Sequence, residues 1–374
     1  MIYFFSSLKK KVNKEIRKAY IKKSIFFLLN YNLFTNLIIS KLLWLFRGLF
    51  YKKGFYFKIK ISLVTYLNYL YIKKYLNKTN LILLNYNFKL YPKSYGEFFV
   101  FLMLCKYFNL KNKNVIIVIP EFDKHIKFID EFNPFIKKNL PKSKIINNFQ
   151  NESYYNYEIL RIPKLNLNNT IRGHHLHLNL INKLLNNETN SFLNKFLIKK
   201  NDLCSNNQKM DKEYIAIHFR YTSPNSDLYK SEIKRNTNKY QFIKTINLIQ
   251  NIFPKNNLII LSSKKGNDYF QKIADKFNIK CNFSTANEKS YFNDLNIVVN
   301  SRFYFQLNGG GLCVGAWFSK INYLIFVKDM PSEIRWSFNK FNPWSTNSQI
   351  TRQISTNEEF YAFIRLMHCK LKLN

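Results

Sequence analysis

Apolar residues recur along this chain in two rhythms, short unbroken runs and helical spacing, and from Leu81 onward the two alternate. Leu81-Ile82-Leu83-Leu84 and Val115-Ile116-Ile117-Val118-Ile119, the latter closed by Pro120, are the uninterrupted runs expected of strands covered on both faces. Between them Tyr95-Gly96-Glu97 reads as a turn leading into a helix from Phe98 to about Phe108. The second half repeats the pattern, with strands predicted at 214–219, 258–261, 295–299 and 323–327. Helices are predicted over Tyr240–Ile252, Tyr269–Phe277, Leu312–Phe318 and from Glu358 to about Leu371. Strands alternating with helices of this length imply βαβ units and parallel sheets, an α/β fold.

The first 80 residues follow neither rhythm. Glu15 is their only acid, and a basic run over Lys9, Lys10, Lys11, Lys14, Arg17, Lys18, Lys22 and Lys23 precedes a charge-free stretch from Ser24 to Ser40 and then Leu42-Leu43-Trp44-Leu45-Phe46. Asn30, Asn32, Thr35 and Asn36 interrupt that stretch, so a bilayer-lying interfacial helix fits it better than a spanning one. A basic helix packed on the body of the protein is the other reading. No small-residue cleavage site follows, so a cleavable signal is not expected. The chain divides into a basic, aromatic extension over 1–80, an α/β domain over 81–207, a second over 208–345, and a C-terminal helix over 346–374. The Asn- and Lys-rich stretch from Lys137 to Asn207 closes the first domain.

Charge alone points toward anionic partners: 59 Lys and Arg stand against 22 Asp and Glu, a net +37 over 374 residues. The accompanying abundance of Lys, Asn, Ile, Phe and Tyr is what AT-rich codons produce at permissive surface sites, and that discounts specific nucleic-acid binding. Under such drift the scarce residues carry information. Arg occurs ten times, and each is a candidate for planar, bidentate anion recognition. Of nine Gly, four fall between Gly309 and Gly315. Five widely spaced cysteines without a CxxC pair support neither a disulfide framework nor a zinc site and fit a reducing, cytoplasmic compartment. His174, His175 and His177 cluster without a nearby acid or thiol, so a polar loop or cleft lining is expected there and no metal.

Three loops at predicted strand ends carry the candidate chemistry, because open parallel sheets bind ligands outside the C-terminal ends of their strands. After the first strand of the second half come His218 and Arg220, on one side of the strand by alternation. Arg220 can grip a phosphate, or pair structurally with Asp227 or Asp294. After the second come Ser262 and Ser263 in a polar turn able to donate to a ribose or phosphate. After the third come Asn300 and Ser301, then Asn308, Gly309, Gly310 and Gly311 entering a helix. Three consecutive glycines let backbone N–H groups approach an anion, and they serve equally as a flexible joint or a close packing point. In the first domain Glu97 is the candidate general base, or a carboxylate placed for the helix dipole, with Glu121 and Asp123 as alternatives.

Taken together these loops resemble a known family. Ile215-Ala216-Ile217-His218-Phe219-Arg220 looks like the HxR strand end of fucosyltransferase-like glycosyltransferases of the GT-B fold. The stretch from Asp294 through Asn300-Ser301 to Gly315-Ala316-Trp317 is similar to the acid, strand, turn and Gly-Ala-Trp helix of that family. Tyr221 stands where the family has a second Arg. The resemblance implies two facing Rossmann-like domains behind the basic N-terminal extension. It implies a glycosyltransferase that moves a sugar, with fucose among the candidates, from a nucleoside diphosphate donor to a surface glycan or glycolipid; no DxD pair occurs, so an inverting transfer without a metal is expected. Arg220 would hold the β-phosphate with His218 beside it, Asp294, Asn300, Ser301 and the glycine turn would contact the donor, and Glu97 would serve as base. No cofactor besides the nucleotide-sugar co-substrate is implied. The enzyme would sit on the cytoplasmic face of the membrane as a peripheral protein. The rival reading is a non-enzymatic basic protein that binds nucleic acid or a membrane surface.

Overall fold

The computed structural model describes residues 65–86, 88, 94–147, 159–161, 173–199, 202–203, 213–222, 236–284, 291–307, 311–328, 349–354, 361–362 and 364–365. The proposed interfacial helix lies outside the described residues, as do Asp227 and the residues Asn308, Gly309 and Gly310. Among the described residues no helix is long and apolar enough to cross a membrane.

In chain order the first half contains helix α1 (65–75), strand β1 (Leu81–Asn85), helix α2 (Tyr95–Leu110), β2 (Asn114–Val118), α3 (Ile126–Asp130), α4 (Asn133–Asn139), β3 (Ser143–Ile146), β4 (Ile159–Arg161), α5 (Gly173–Leu185) and α6 (Asn190–Phe196). The second half contains β5 (Tyr214–Phe219), α7 (Lys239–Ile252), β6 (Asn257–Leu261), α8 (Lys264–Lys276), β7 (Asn282–Phe283), α9 (Tyr291–Asn300), β8 (Phe303–Leu307), α10 (Cys313–Trp317), β9 (Asn322–Lys328) and β10 (Gln349–Ile354).

The strands form two separate sheets, and every pairing in both is parallel. The first has the order β3-β2-β1-β4 and the second β10-β9-β8-β5-β6-β7. Counted from β5, the second order is the doubly wound 3-2-1-4-5-6 arrangement of a Rossmann sheet, so the expected α/β class with two Rossmann-like halves is what the chain adopts. The chain winds outward through β6 and β7, then returns to place β8 on the other side of β5. The reversal leaves a crevice between the C-terminal ends of β5 and β8.

Both faces of the second sheet are covered. Ile215, Ile217 and Phe219 point to one core with α7 and α8, while Tyr214 and Ala216 point to another with α9 and α10. That second core runs without a break into the first half. Helix α2 is buried from Gly96 to Asn109, as a helix apolar all round must be. Phe99 meets Phe292 of α9 at a ring separation of 6.1 Å, and Phe132 meets the same ring edge-on at 5.2 Å. Burial of this one helix therefore joins the two sheets into a single apolar body.

Four sequence expectations are corrected. Tyr95-Gly96-Glu97 is the first turn of α2 and not a turn before it, with Ser94 at the N-cap. Helix α8 begins at Lys264, five residues before the predicted start, because the Ser263 hydroxyl accepts the Gly266 N–H and caps it. Residues 295–299 are helical within α9: Phe292, Leu295, Val298 and Val299 are buried at a spacing of three to four, and the strand instead follows at Phe303–Leu307. Finally, β10 adds an edge strand beside β9, where a helix was expected from 346 on. Of the predicted closing helix, 361–362 and 364–365 are described and helical.

Candidate functional site

The crevice between β5 and β8 is built from residues leaving adjacent strands. Phe219 pairs in register with Leu307, so Arg220 leaves β5 beside the C-terminal end of β8. Arg220 is half-buried. Its carbonyl accepts the Thr237 N–H at 2.8 Å, and the Asn236 side chain takes both the N–H and the carbonyl of Thr222 at 2.7 Å. The strand exit is thus locked to the segment that enters α7, whose Asn238–Gln241 capping box fixes that segment in turn. No sequence signal marked Asn236, since an Asn in an Asn-rich chain attracts no notice.

His218 lies one position inside the sheet, buried and facing the α9–α10 side with Ala216. Its cross-strand partner is Gln306, fully buried, whose side-chain carbonyl accepts the Tyr304 hydroxyl. Burial pushes the Tyr304 phenol well above its ordinary pKa, with smaller contributions from Cys313, Tyr291 and Asp294. A buried polar layer of His218, Gln306 and Tyr304 therefore underlies the crevice.

Ser262 and Ser263 do not present free hydroxyls to a ligand. Ser262, 4% exposed, donates to the Phe219 carbonyl at 2.7 Å, and Ser263 donates to the Tyr221 carbonyl at 3.1 Å. They tether the end of β5 to the start of α8, and Gly266 makes room for this, since a Cβ there would lie 2.1 Å from the Ser262 hydroxyl. Tyr221 stacks on Tyr269 at 4.7 Å beside them.

Asn300 and Ser301 are displaced from the crevice altogether. The helical assignment of 291–300 puts them before β8, so they sit at its N-terminal end, about 16 Å from its crevice end for a five-residue strand. The Asn300 amide donates back to Asn296, and the Ser301 hydroxyl to the Val298 carbonyl. Asp294 occupies the first turn of α9, on the crevice side of the helix's length.

Gly311 and Gly96 meet backbone to backbone. A Cβ on Gly96 would lie 2.9 Å from the Gly311 Cα and 3.1 Å from its carbonyl oxygen. Around this contact Tyr95 stacks on Tyr291 at 4.9 Å, the Tyr291 hydroxyl donates to the Gly311 carbonyl at 3.0 Å, and the Tyr95 hydroxyl donates to Glu131 at 2.7 Å. Burial, followed by the Glu131 carboxylate, pushes the Tyr95 phenol up to about 12. Of the two structural roles weighed for the glycine cluster, close packing describes Gly311. Glu97 is buried in the adjacent position of α2, one residue from that contact. Gly96, one of only nine glycines, reads as a turn residue in the sequence, whereas the structure uses its missing side chain for this close approach of backbones.

Other predicted residues fall elsewhere. Glu121 forms an ion pair with Lys124 at 3.0 Å and Asp123 is exposed, both beyond the end of β2. His177 is a core residue, its ring packed against Phe101 and Tyr86. Among the described residues no group of three His, Cys, Asp or Glu is arranged to hold a metal.

No protein-family model and no curated protein matches the chain. Among solved structures it is similar to the ADP-heptose lipopolysaccharide heptosyltransferase II of E. coli, with 10% identity over 78% of this chain and 99% of that one at a TM-score of 0.42. It is also similar to the E. coli heptosyltransferase WaaC with ADP, with 7% identity over 77% of this chain and 99% of that one at a TM-score of 0.39. Likenesses of this depth describe shape alone.

Proposed function

We propose that the chain is a GT-B-type glycosyltransferase that takes a nucleotide-sugar donor at the crevice between β5 and β8. The observation that carries this reading is the strand order of the second sheet, which reverses between the two strands from which Arg220 and the glycine turn depart. A guanidinium and close backbone N–H groups are the donors that a diphosphate needs, and they stabilise charge as it develops on the leaving group.

In this reading the acceptor hydroxyl oxygen attacks the anomeric carbon, the bond to the diphosphate oxygen breaks, and the nucleoside diphosphate leaves with its charge held by Arg220. Glu97 takes the hydroxyl proton, and His218 supports Arg220 from within the strand. Asp294 remains a donor-side candidate, whereas Ser262 and Ser263 act through the backbone they tether. Fucose stays among the candidate sugars on the HxR resemblance, with a surface glycan or glycolipid as acceptor. The basic segment ahead of residue 65 would hold the enzyme at the cytoplasmic leaflet.

The test is thermal stabilisation of the wild type and Arg220→Ala by ADP, GDP and UDP. A ligand at 100 times its Kd stabilises by about 2.7 kcal/mol, so the preferred base identifies itself. Loss of a charge-assisted contact worth about 1.5–3 kcal/mol should weaken binding roughly 10- to 150-fold in Arg220→Ala. Undiminished nucleotide binding or sugar transfer by that variant would refute the assignment.

A further inference from the structure

The opposite end of the second sheet carries a groove that the sugar-transfer reading does not use. It has a volume of about 620 Å³ and lies between the segment after α6 and the starts of β8 and β9. Its floor is aliphatic, with Leu197, Ile198 and Val299 each at most 3% exposed. Its rim carries three exposed cations, Lys199, Arg302 and Lys320, and among the described residues no carboxylate lines it.

These cations stand on tied backbone. The Gln349 side-chain amide donates to the carbonyls of both Ser319 and Ile321, clamping the turn at Lys320 from either side. The Ile198 N–H donates to the Phe318 carbonyl at 2.7 Å, which docks the Lys199 segment onto the same turn. Arg302 is held by its N–H on the Tyr214 carbonyl and by one guanidinium nitrogen on Glu213 at 2.8 Å. The acids nearby are accounted for: Glu213 anchors Arg302, and Asp202 accepts the backbone N–H of Lys199. Glu213 answers the charge of Arg302, which leaves the Lys199 and Lys320 ammoniums on the rim, and an anion seated between them would be attracted by both.

We propose that this groove is a second anion site, which binds a phosphoryl group at the end of the sheet remote from Arg220. The aliphatic floor beneath the cations suits a phosphoryl group borne on an apolar body as well as a free one. The proposal is independent of the sugar-transfer reading, because it uses none of the crevice residues.

The experiment uses the full chain carrying Arg220→Ala, so that the crevice does not contribute, at constant ionic strength. Thermal stabilisation is measured with two soluble probes, inorganic pyrophosphate and dihexanoyl phosphatidic acid below its micellar concentration. The same titrations are repeated with Lys199→Glu and Lys320→Glu added, both exposed positions whose replacement leaves the core untouched. Stabilisation by pyrophosphate that weakens at least tenfold in the charge-reversed protein establishes the site for a free phosphoryl group. The same loss seen only with the lipid probe establishes a lipid-borne one. Absence of stabilisation by either probe, or stabilisation that survives the reversal, overturns the proposal.

Discussion

Substituting Gly96 by Ala tests whether the two halves are positioned by direct backbone contact. The added Cβ would stand 2.9 Å from the Gly311 Cα and 3.1 Å from its carbonyl oxygen, closer than such atoms approach. Both obstructing atoms are main chain, so no rotamer change relieves them. Overpacking of this kind costs about 1–3 kcal/mol, and the gain of up to about 1 kcal/mol in helix propensity offsets only part of it. A net loss of about 1–2 kcal/mol is expected. The reciprocal change is milder: a Cβ on Gly311 meets the Gly96 nitrogen at 3.2 Å and its Cα at 3.6 Å. Gly96→Ala should therefore cost more than Gly311→Ala, and the double variant should depart from additivity, since both act on one contact. Chemical denaturation gives the stabilities, and nucleotide titration reports whether the displaced turn weakens binding. The packing argument fails if Gly96→Ala is as stable as the wild type, if the order of the two is inverted, or if their effects simply add.

Lys106 and Ser262 offer two further tests. Lys106, 4% exposed in α2, is held down at about 8, first by desolvation and then by Lys199, while Asp202 acts the other way. Its folded pKa lies below the unfolded 10.5, so the folded state binds fewer protons between the two values and stability should rise with pH from about 8 to 10.5. At 1.4 kcal/mol per unit the penalty below pH 8 is about 3 kcal/mol. Lys106→Met should remove both the penalty and this part of the pH dependence, and an unchanged melting profile across that range would contradict it. Ser262→Ala strips the Phe219 carbonyl of a buried donor and should cost about 1–2 kcal/mol of stability. Were nucleotide binding lost with stability unchanged, Ser262 would be a ligand contact and not a tether.

Much of the α/β pattern was legible because strands buried on both faces leave unbroken branched runs. Leu81–Leu84, Val115–Ile119, Tyr214–Phe219 and Leu258–Leu261 all lie within or within one residue of their observed strands. The misreading at 295–299 has a physical source. Leu295-Asn296-Ile297-Val298-Val299 is apolar enough for a strand, while the spacing that makes it a helical face becomes decisive only when α10 and α2 are there to receive it. That one error moved Asn300 and Ser301 to the wrong end of the sheet. Ser262 and Ser263 were located correctly in the chain but misjudged in role, since their hydroxyl partners, Phe219 and Tyr221, are some forty residues away.

Local composition and periodicity, by themselves, determined the alternation of strand and helix, the scarcity that singles out Arg220 and the glycines, and the excess of positive charge. Tertiary structure alone decided which strand ends are neighbours, which hydroxyls are already bonded, and that Gly96 lies against Gly311. Periodicity is written within a few turns of chain, whereas these outcomes depend on contacts between residues dozens to hundreds of positions apart, which exist only once α2 is buried between the two sheets.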